Sequence, residues 1–418
     1  MSEHDINIDA ASRDIRILFL TRQFSPVPKV CEICVQRVRA ALYERGIKSD
    51  VLQFTGDEGL IEQSPIGSVY SVGAGEGILN TTVSNRLIHF FKKASVAYRW
   101  PLYYNYRMNH KFRKVIEDLN EKNIYDAIVG MSLPVDTVLG GLKWNNFIFY
   151  ELDSISNNPS NRGFVKSLLK YRVKRIEKKV LDKSALVIHM TCNKEYYSKE
   201  CFAEYNEKTV FADIPNLIEF PQTEAINNSH VLLAYFGTLT RDVRNPEYLI
   251  SILENMIGKL DMTCEFYSRG NCEDILAEAE RRNPEVIKAK GYVTPDEVVQ
   301  VQSKTDFLLS IGNKLTGEDR SLPSKILEYI ATGKPVIHIF GGDNDSAVKY
   351  LIKYGLSCIV DPADDLDGNV QKVLKFISEN KDKKVPFKTL KELFPENTPD
   401  YTAAIIERFI ESRRQTGN

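Results

Sequence analysis

Apolar runs of strand length recur along this chain, and most are followed by a loop and a stretch with helical spacing. Ile15–Leu20 is the first. Ser49–Phe54, Tyr125–Gly130, Phe147–Tyr150 and Ala185–His189 follow in the first half. Val231–Phe236, Thr263–Tyr267, Ile287–Tyr292, Asp306–Ile311, Val336–Phe340 and Cys358–Val360 follow in the second. A strand apolar on both sides is covered on both faces, which is the situation of a parallel sheet with crossover helices. Cys31–Arg45 supplies one such helix: Val35, Val38 and Leu42 form its apolar stripe and Gly46 ends it. Further helices are expected over Phe164–Lys183, strongly basic on its outer side, over Glu195–Glu204, from Glu247, and from Pro295 to near Ser303. The alternation predicts doubly wound α/β architecture. Residues 57–85 are glycine-rich and read as loop; no G-x-G-x-x-G follows a strand there, which excludes a dinucleotide fingerprint.

A length of 418 residues suggests more than one domain. The polar, Asn-rich stretch 219–230 marks a boundary, so the expected division is a disordered leader (1–14), a first domain (15–222), a second (223–395) and a terminal helix (396–418). The helix begins at Asn397-Thr398-Pro399 and shows Tyr401, Ile405 and Phe409 on one face. A formal net charge of −1 implies no general affinity for nucleic acid. No run of ~18 apolar residues occurs, so no membrane-spanning helix is expected. Seven cysteines without regular spacing suit a reducing cytoplasm, and the Cys31/Cys34 pair lacks a second pair at zinc spacing. Residues 86–114 interleave Lys and Arg with Phe, Tyr and Trp and contain no acid. That mixture fits the edge of an anionic bilayer or a lipid-linked acceptor, could stack on and neutralise single-stranded nucleic acid, and fits as well core aromatics beneath a solvated basic face.

Residues 321–337 combine a loop, a short helix and a strand. Pro323 suits a first helical turn, Ser321 or Ser324 can cap it, and Gly333 can close it. Ile326, Leu327, Ile330 and Ala331 make an inward face, while Ser324 and Glu328 share another. A helix N-terminus with Lys325 beside it suits a phosphate, and Glu328 one turn on can accept hydrogen bonds from neighbouring hydroxyls. Together these describe the diphosphate and ribose of a nucleotide sugar. The same spacing also fits a surface helix whose Lys325 and Glu328 are merely solvated.

This run, with Glu328, Gly333, Pro335 and Val336 at matching positions, resembles the donor-binding segment of retaining glycosyltransferases of the GT-B fold, family 4 and its relatives in bacterial surface-polysaccharide synthesis. The resemblance implies two Rossmann-like domains facing across a cleft, with the last helix returning to the first domain. It implies a nucleotide-sugar donor, a glycan or lipid-linked acceptor, no metal and no other cofactor. Glu328 would hold the ribose, and Ser324 and Lys325 the diphosphate. Arg241 or Arg244, after Gly237-Thr238, would contact the diphosphate, and Tyr292 would border the base. Where the family often has an earlier Glu, this chain has Arg320. On the acceptor side, Arg22 and Gln23 lie in the loop after the first strand. Asp153, then Glu151, are the candidate catalytic acids after Phe147–Tyr150. Ile214–Ile218, with its Pro-Asn pair, resembles the family's interdomain crossing. The expected setting is cytoplasmic, at the inner face of a membrane. A sugar-nucleotide epimerase and a non-catalytic nucleotide-binding scaffold are the alternatives. Asp343 and Asp345 form an Asp-x-Asp that this fold would not use for metal.

Overall fold

The computed structural model describes residues 14–26, 30–55, 57–74, 103–131, 135–152, 155, 164–221, 229–314, 324–343 and 345–416. The chain divides into two compact units, residues 1–215 with 396–418, and residues 216–395.

The first unit holds β1 (Arg16–Thr21), α1 (Val30–Glu44), β2 (Lys48–Thr55), β3 (Gly59–Ser64), β4 (Gly67–Ala74), α2 (Tyr103–Asn123), β5 (Ala127–Met131), α3 (Val135–Gly141), β6 (Phe147–Glu151), α4 (Phe164–Lys183), β7 (Leu186–Met190) and β8 (Thr209–Ala212). Its sheet runs β3-β4-β2-β1-β5-β6-β7-β8 and is parallel except for the β3–β4 pair. Side chains alternate across it. Ile17 and Phe19 pack with Val35, Val38 and Leu42 of α1, whereas Leu18 and Leu20 pack with Phe112 and Ile116 of α2 and Val180 and Leu181 of α4. Both faces are thus covered, which is why β1 reads as a continuous apolar run.

Two expectations are corrected here. The stretch read as loop over 57–85 contains the β3–β4 hairpin. Two of its glycines serve close approach: a Cβ at Gly67 would stand 2.1 Å from the Ser49 carbonyl oxygen, and one at Gly73 2.6 Å from Glu58 Cβ. The helix expected over Glu195–Glu204 is a one-turn helix, Lys194–Tyr197, followed by a 3-10 stretch, Glu200–Lys208. Aromatic packing of Tyr196 and Tyr197 on Phe202 overrides helical propensity there.

The second unit holds β9 (Val231–Leu239), α5 (Glu247–Met256), β10 (Met262–Gly270), α6 (Glu273–Arg282), β11 (Ile287–Ala289), α7 (Pro295–Lys304), β12 (Phe307–Ile311), α8 (Ser324–Ala331), β13 (Val336–Ile339), α9 (Ala347–Tyr354), β14 (Ser357–Val360), α10 (Leu366–Asn380) and α11 (Phe387–Leu393). The sheet is parallel throughout, in the order β11-β10-β9-β12-β13-β14. Numbered within the unit this is 3-2-1-4-5-6, the doubly wound Rossmann order, whose switch point lies between β9 and β12. Lys334, which the sequence presents only as a helix stop, is buried, and its Nζ donates to the carbonyls of Gln302, Ser303 and Thr305 at 2.9, 2.6 and 2.6 Å. It thereby satisfies the C-terminal carbonyls of α7 and ties them to the α8–β13 turn.

The terminal helix α12 (Pro399–Thr416) belongs to the first unit. Ala403, Ile405, Ile406 and Ile410 join the core made by α1 and β1, with Tyr401 and Phe409 packed at its margin. Thr398 Oγ1 accepts from the Tyr401 amide at 3.2 Å, an N-terminal cap. Arg45 pairs with Asp400 and Glu407, and Arg414 with Asp126. The apolar seam dominates the contact, since an exposed pair such as Arg45–Asp400 contributes ~0–1 kcal/mol.

Candidate functional site

In open α/β sheets ligands gather at the carboxyl ends of the strands beside the switch point. In the second unit that place is the end of β9 and β12, and α8 is fixed to it. Tyr329 Oη donates to the Phe236 carbonyl at 3.1 Å and accepts from the Phe236 amide at 3.0 Å. Phe236 and Tyr329 also meet edge to face. Tyr329 is fully buried with Ile326, Leu327, Ile330 and Ala331, so one side of α8 is committed to the core. The half-exposed side carries Ser324, Lys325 and Glu328, and Lys325 Nζ lies 2.6 Å from Glu328 Oε2. Residues 315–323, including Arg320, Ser321 and Pro323, lie outside the described residues.

Gly237 has φ +150°, and a Cβ there would stand 3.3 Å from Tyr235 Oη. The turn that follows is closed by paired Thr240 and Arg244 backbones. The two arginines of this turn part company. Arg241 is bound to the start of α6, its Nε donating to the Asn271 carbonyl at 3.1 Å and its guanidinium pairing with Asp274. Arg244 is part-buried and donates from Nε to Asn313 Oδ1, just past β12. Burial pushes the nearby Tyr235 phenol up to about 12, against the smaller downward pull of the Arg244 charge. Arg244 therefore lies at the switch point and Arg241 outside it. Thr238 follows Gly237 on β9, in register with Arg269 of β10. Tyr292 is exposed, with the Arg269 guanidinium 5.4 Å from its ring centroid.

In the first unit, Glu151 ends β6 as expected but has no solvent-accessible surface. Its Oε2 lies 2.5 Å from His189 Nδ1, and its Oε1 accepts from Tyr197 Oη at 2.8 Å and from the Ile155 amide at 3.1 Å. The Tyr197 ring stacks on His189 at 3.5 Å, and its hydroxyl also reaches buried Glu177 at 3.0 Å. Glu151 is thus locked in a core network. Asp153 lies outside the described residues.

The β1–α1 loop is stapled from within. The amides of Arg22 and Gln23 donate to Glu32 Oε1 at 3.2 and 3.4 Å, and those of Phe24 and Ser25 to Gln53 Oε1 at 2.8 Å each. A protein carboxylate fills the place where a Rossmann loop offers amides to phosphate, which explains physically why no glycine fingerprint is found. Glu32 and Gln53 were not singled out from the sequence; Glu32, an acid in the first turn of α1, carried a signal, while Gln53 inside a strand carried none.

Asp345 faces inward. Its carboxyl is 2.8 Å from His338 Nε2 and accepts the amides of Gly341 and Ala347, so Asp343 and Asp345 do not present a joint metal site. Burial opposes its ionisation, but the His338 ring and the two amides hold its pKa below the usual carboxylate range. No cluster of His, Cys, Asp or Glu suited to a metal is found among the described residues.

Against this geometry, solved structures give a consistent answer. A glycosyltransferase from Rickettsia africae ESF-5 matches with TM-score 0.58 and 13% identity over 96% of this chain and 98% of that one. The E. coli trehalose-6-phosphate structure bound with UDP-2-fluoro glucose matches with TM-score 0.57 and 11% identity over 96% and 99%. The lipopolysaccharide outer core galactosyltransferase WaaB, in its apo form, matches with TM-score 0.53 and 12% identity over 96% and 100%. The class this defines is one of fold: the chain has the GT-B fold, with two Rossmann-like units. No family model matches the sequence, and no curated protein sequence does.

Proposed function

We propose that this protein is a retaining glycosyltransferase that moves a sugar from a nucleotide-diphosphate donor to a glycan or lipid-linked acceptor in surface-polysaccharide synthesis. The observation that carries the reading is that α8, which bears the Lys325–Glu328 pair and is bound to β9 through Tyr329, and the Arg244 turn, bound to Asn313 past β12, both adjoin the β9–β12 switch point of a GT-B chain. Glu328 accepts the ribose hydroxyls, held in place by Lys325. Ser324, Lys325 and Arg244 stabilise the negative charge that develops on the departing diphosphate, so no metal is required for that task. Gly237 and Thr238 let the backbone approach the phosphates, and Tyr292 borders the base. Attack comes from the face the leaving group departs, so no dedicated protein base is assigned. Asp153 orients the acceptor or supports the oxocarbenium-like centre, and Arg22 and Gln23 lie on the acceptor side.

Incubation with UDP-, ADP- and GDP-sugars, with and without lipid-linked acceptor, tests this. Nucleotide release only with acceptor is expected. Sugar conversion without acceptor would mean an epimerase, and binding without turnover a scaffold. In calorimetry, Glu328→Ala is expected to weaken nucleotide binding by about tenfold or more, the loss of hydrogen bonds to a charged acceptor. Unchanged affinity would remove the ribose role.

A membrane-surface setting is part of the proposal. Lys174, Arg175, Lys178, Lys179 and Lys183 stand exposed on α4, and among them Lys178 pairs with Glu204. Residues 86–102 of the basic–aromatic stretch lie outside the described residues, and no described helix is long and apolar enough to cross a membrane. Flotation with vesicles containing phosphatidylserine should carry the protein at low salt and release it at ~0.5 M salt, where screening is strong. Flotation equal to that with neutral vesicles would count against it.

A further inference from the structure

Beside the donor site, His338 of the neighbouring strand β13 is buried with Asp345 of the loop that follows it. Asp345 Oδ2 receives His338 Nε2 at 2.8 Å and the Gly341 amide at 2.9 Å, while Oδ1 receives the Ala347 amide at 3.1 Å. His338 has no exposed surface. The carboxylate thus fixes both ends of the loop between β13 and α9.

That loop is pressed onto the segment that follows β12. A Cβ on Gly312 would stand 1.9 Å from Asp345 Oδ2 and 2.5 Å from the Gly341 nitrogen. A Cβ on Gly341 would stand 2.6 Å from the Gly312 carbonyl carbon and 2.7 Å from the Asn313 nitrogen. Backbone meets backbone here because neither residue has a side chain. On its other side the same segment holds the arginine turn. Asn313 Oδ1 accepts from Arg244 Nε, and the Lys314 amide donates to the Val243 carbonyl at 2.9 Å. The contacts therefore run without a gap from Asp345 through Gly312 and Asn313 to Arg244.

We propose that His338 and Asp345 are positioning residues that set the height of the Gly312–Asn313 segment and so aim the Arg244 guanidinium at a nucleoside diphosphate. The inference rests on the donor-site reading given above. Neither residue touches ligand; His338 acts through its hydrogen bond to Asp345, and Asp345 through packing and the two amides it accepts. The two glycines are required because any side chain would part the loops and rotate Asn313 away from the guanidinium.

The test has two arms on the full-length protein. In the first, hydrogen exchange is followed by mass spectrometry over residues 310–314 of the ligand-free protein. Asp345→Asn and Gly312→Ala are each expected to speed exchange there while the melting transition stays cooperative. Unchanged exchange overturns the proposal, whatever the protein binds. In the second arm, calorimetry measures UDP, ADP and GDP against the matching nucleosides. Both variants are expected to weaken diphosphate binding by about tenfold and nucleoside binding less than twofold, and Asp345→Asn should add nothing in an Arg244→Ala background. Equal loss for nucleoside and diphosphate, or losses that multiply with Arg244→Ala, overturns it. A wild type that binds none of the three diphosphates instead removes the donor reading, which the exchange arm does not depend on. His338→Gln, which keeps a donor toward Asp345, should retain most of the diphosphate affinity.

Discussion

Glu151→Ala is expected to lower the melting temperature of the first unit by on the order of 10 °C. The substitution removes the partner of a fully buried histidine, leaves the Ile155 amide unpaired, and takes one of two acceptors from Tyr197. Leaving a buried polar group without its acceptor costs ~1–3 kcal/mol, more than one group is left so here, and a unit of this size loses ~2–4 °C per kcal/mol. Glu151→Gln keeps the shape and should cost much less, about 1 kcal/mol, since an amide oxygen still accepts while the pairing with His189 weakens. The experiment also separates two roles. A catalytic acid would cost turnover and leave the melting curve in place; a core acid does the reverse in sequence, losing stability first. Equal melting of wild type and Glu151→Ala would show that the network around His189 carries no stability.

Arg244→Ala is expected to weaken nucleoside diphosphate binding by about 10- to 100-fold, with nucleoside binding nearly unchanged. Hydrogen bonds to charged groups are worth ~1.5–3 kcal/mol, and a guanidinium offers a fork of them to phosphate oxygens. Arg241→Ala should change affinity by less than threefold, because that guanidinium is engaged by Asn271 and Asp274. The sequence leaves the two arginines level, three positions apart in one turn; the structure sets them apart, and isothermal titration of both variants with UDP, ADP and GDP tests that ranking. Loss in Arg241→Ala with retention in Arg244→Ala would reverse the assignment. Arg244→Lys should recover part of the affinity, since the charge remains and the fork is lost.

Much of the fold was legible because its signals are local. Runs such as Ile15–Leu20 and Val231–Phe236 are apolar on both faces, and that pattern belongs to buried parallel strands. Gly333 closes α8 with φ +73°, as a glycine after a short helix should. Of the inward face of α8, Ile326, Leu327, Ile330 and Ala331 were visible from spacing; Tyr329 was not, because a tyrosine between Glu328 and Ile330 reads as a surface residue until its hydroxyl is seen to take both backbone groups of Phe236. The hairpin β3–β4 was missed for the converse reason. Its glycines carry the signature of loop, and only the approach of β4 to Ser49 shows why they are needed.

The sequence alone determined the two-unit α/β plan, the strand–helix alternation and the placing of Ser324, Lys325 and Glu328 on one side of a short helix, since each follows from periodicity or from side chains within one turn of one another. Tertiary structure decided which acid is core and which arginine faces the switch point. It also decided that Glu32 and Gln53 fill the β1–α1 loop and that Asp345 turns inward to His338. The roles of Glu151, Arg244 and Gln53 depend on groups far apart in the chain, as with Glu151 and His189 or Arg244 and Asn313. Burial and pairing at such range are set by packing of whole strands and helices, and no local pattern records them.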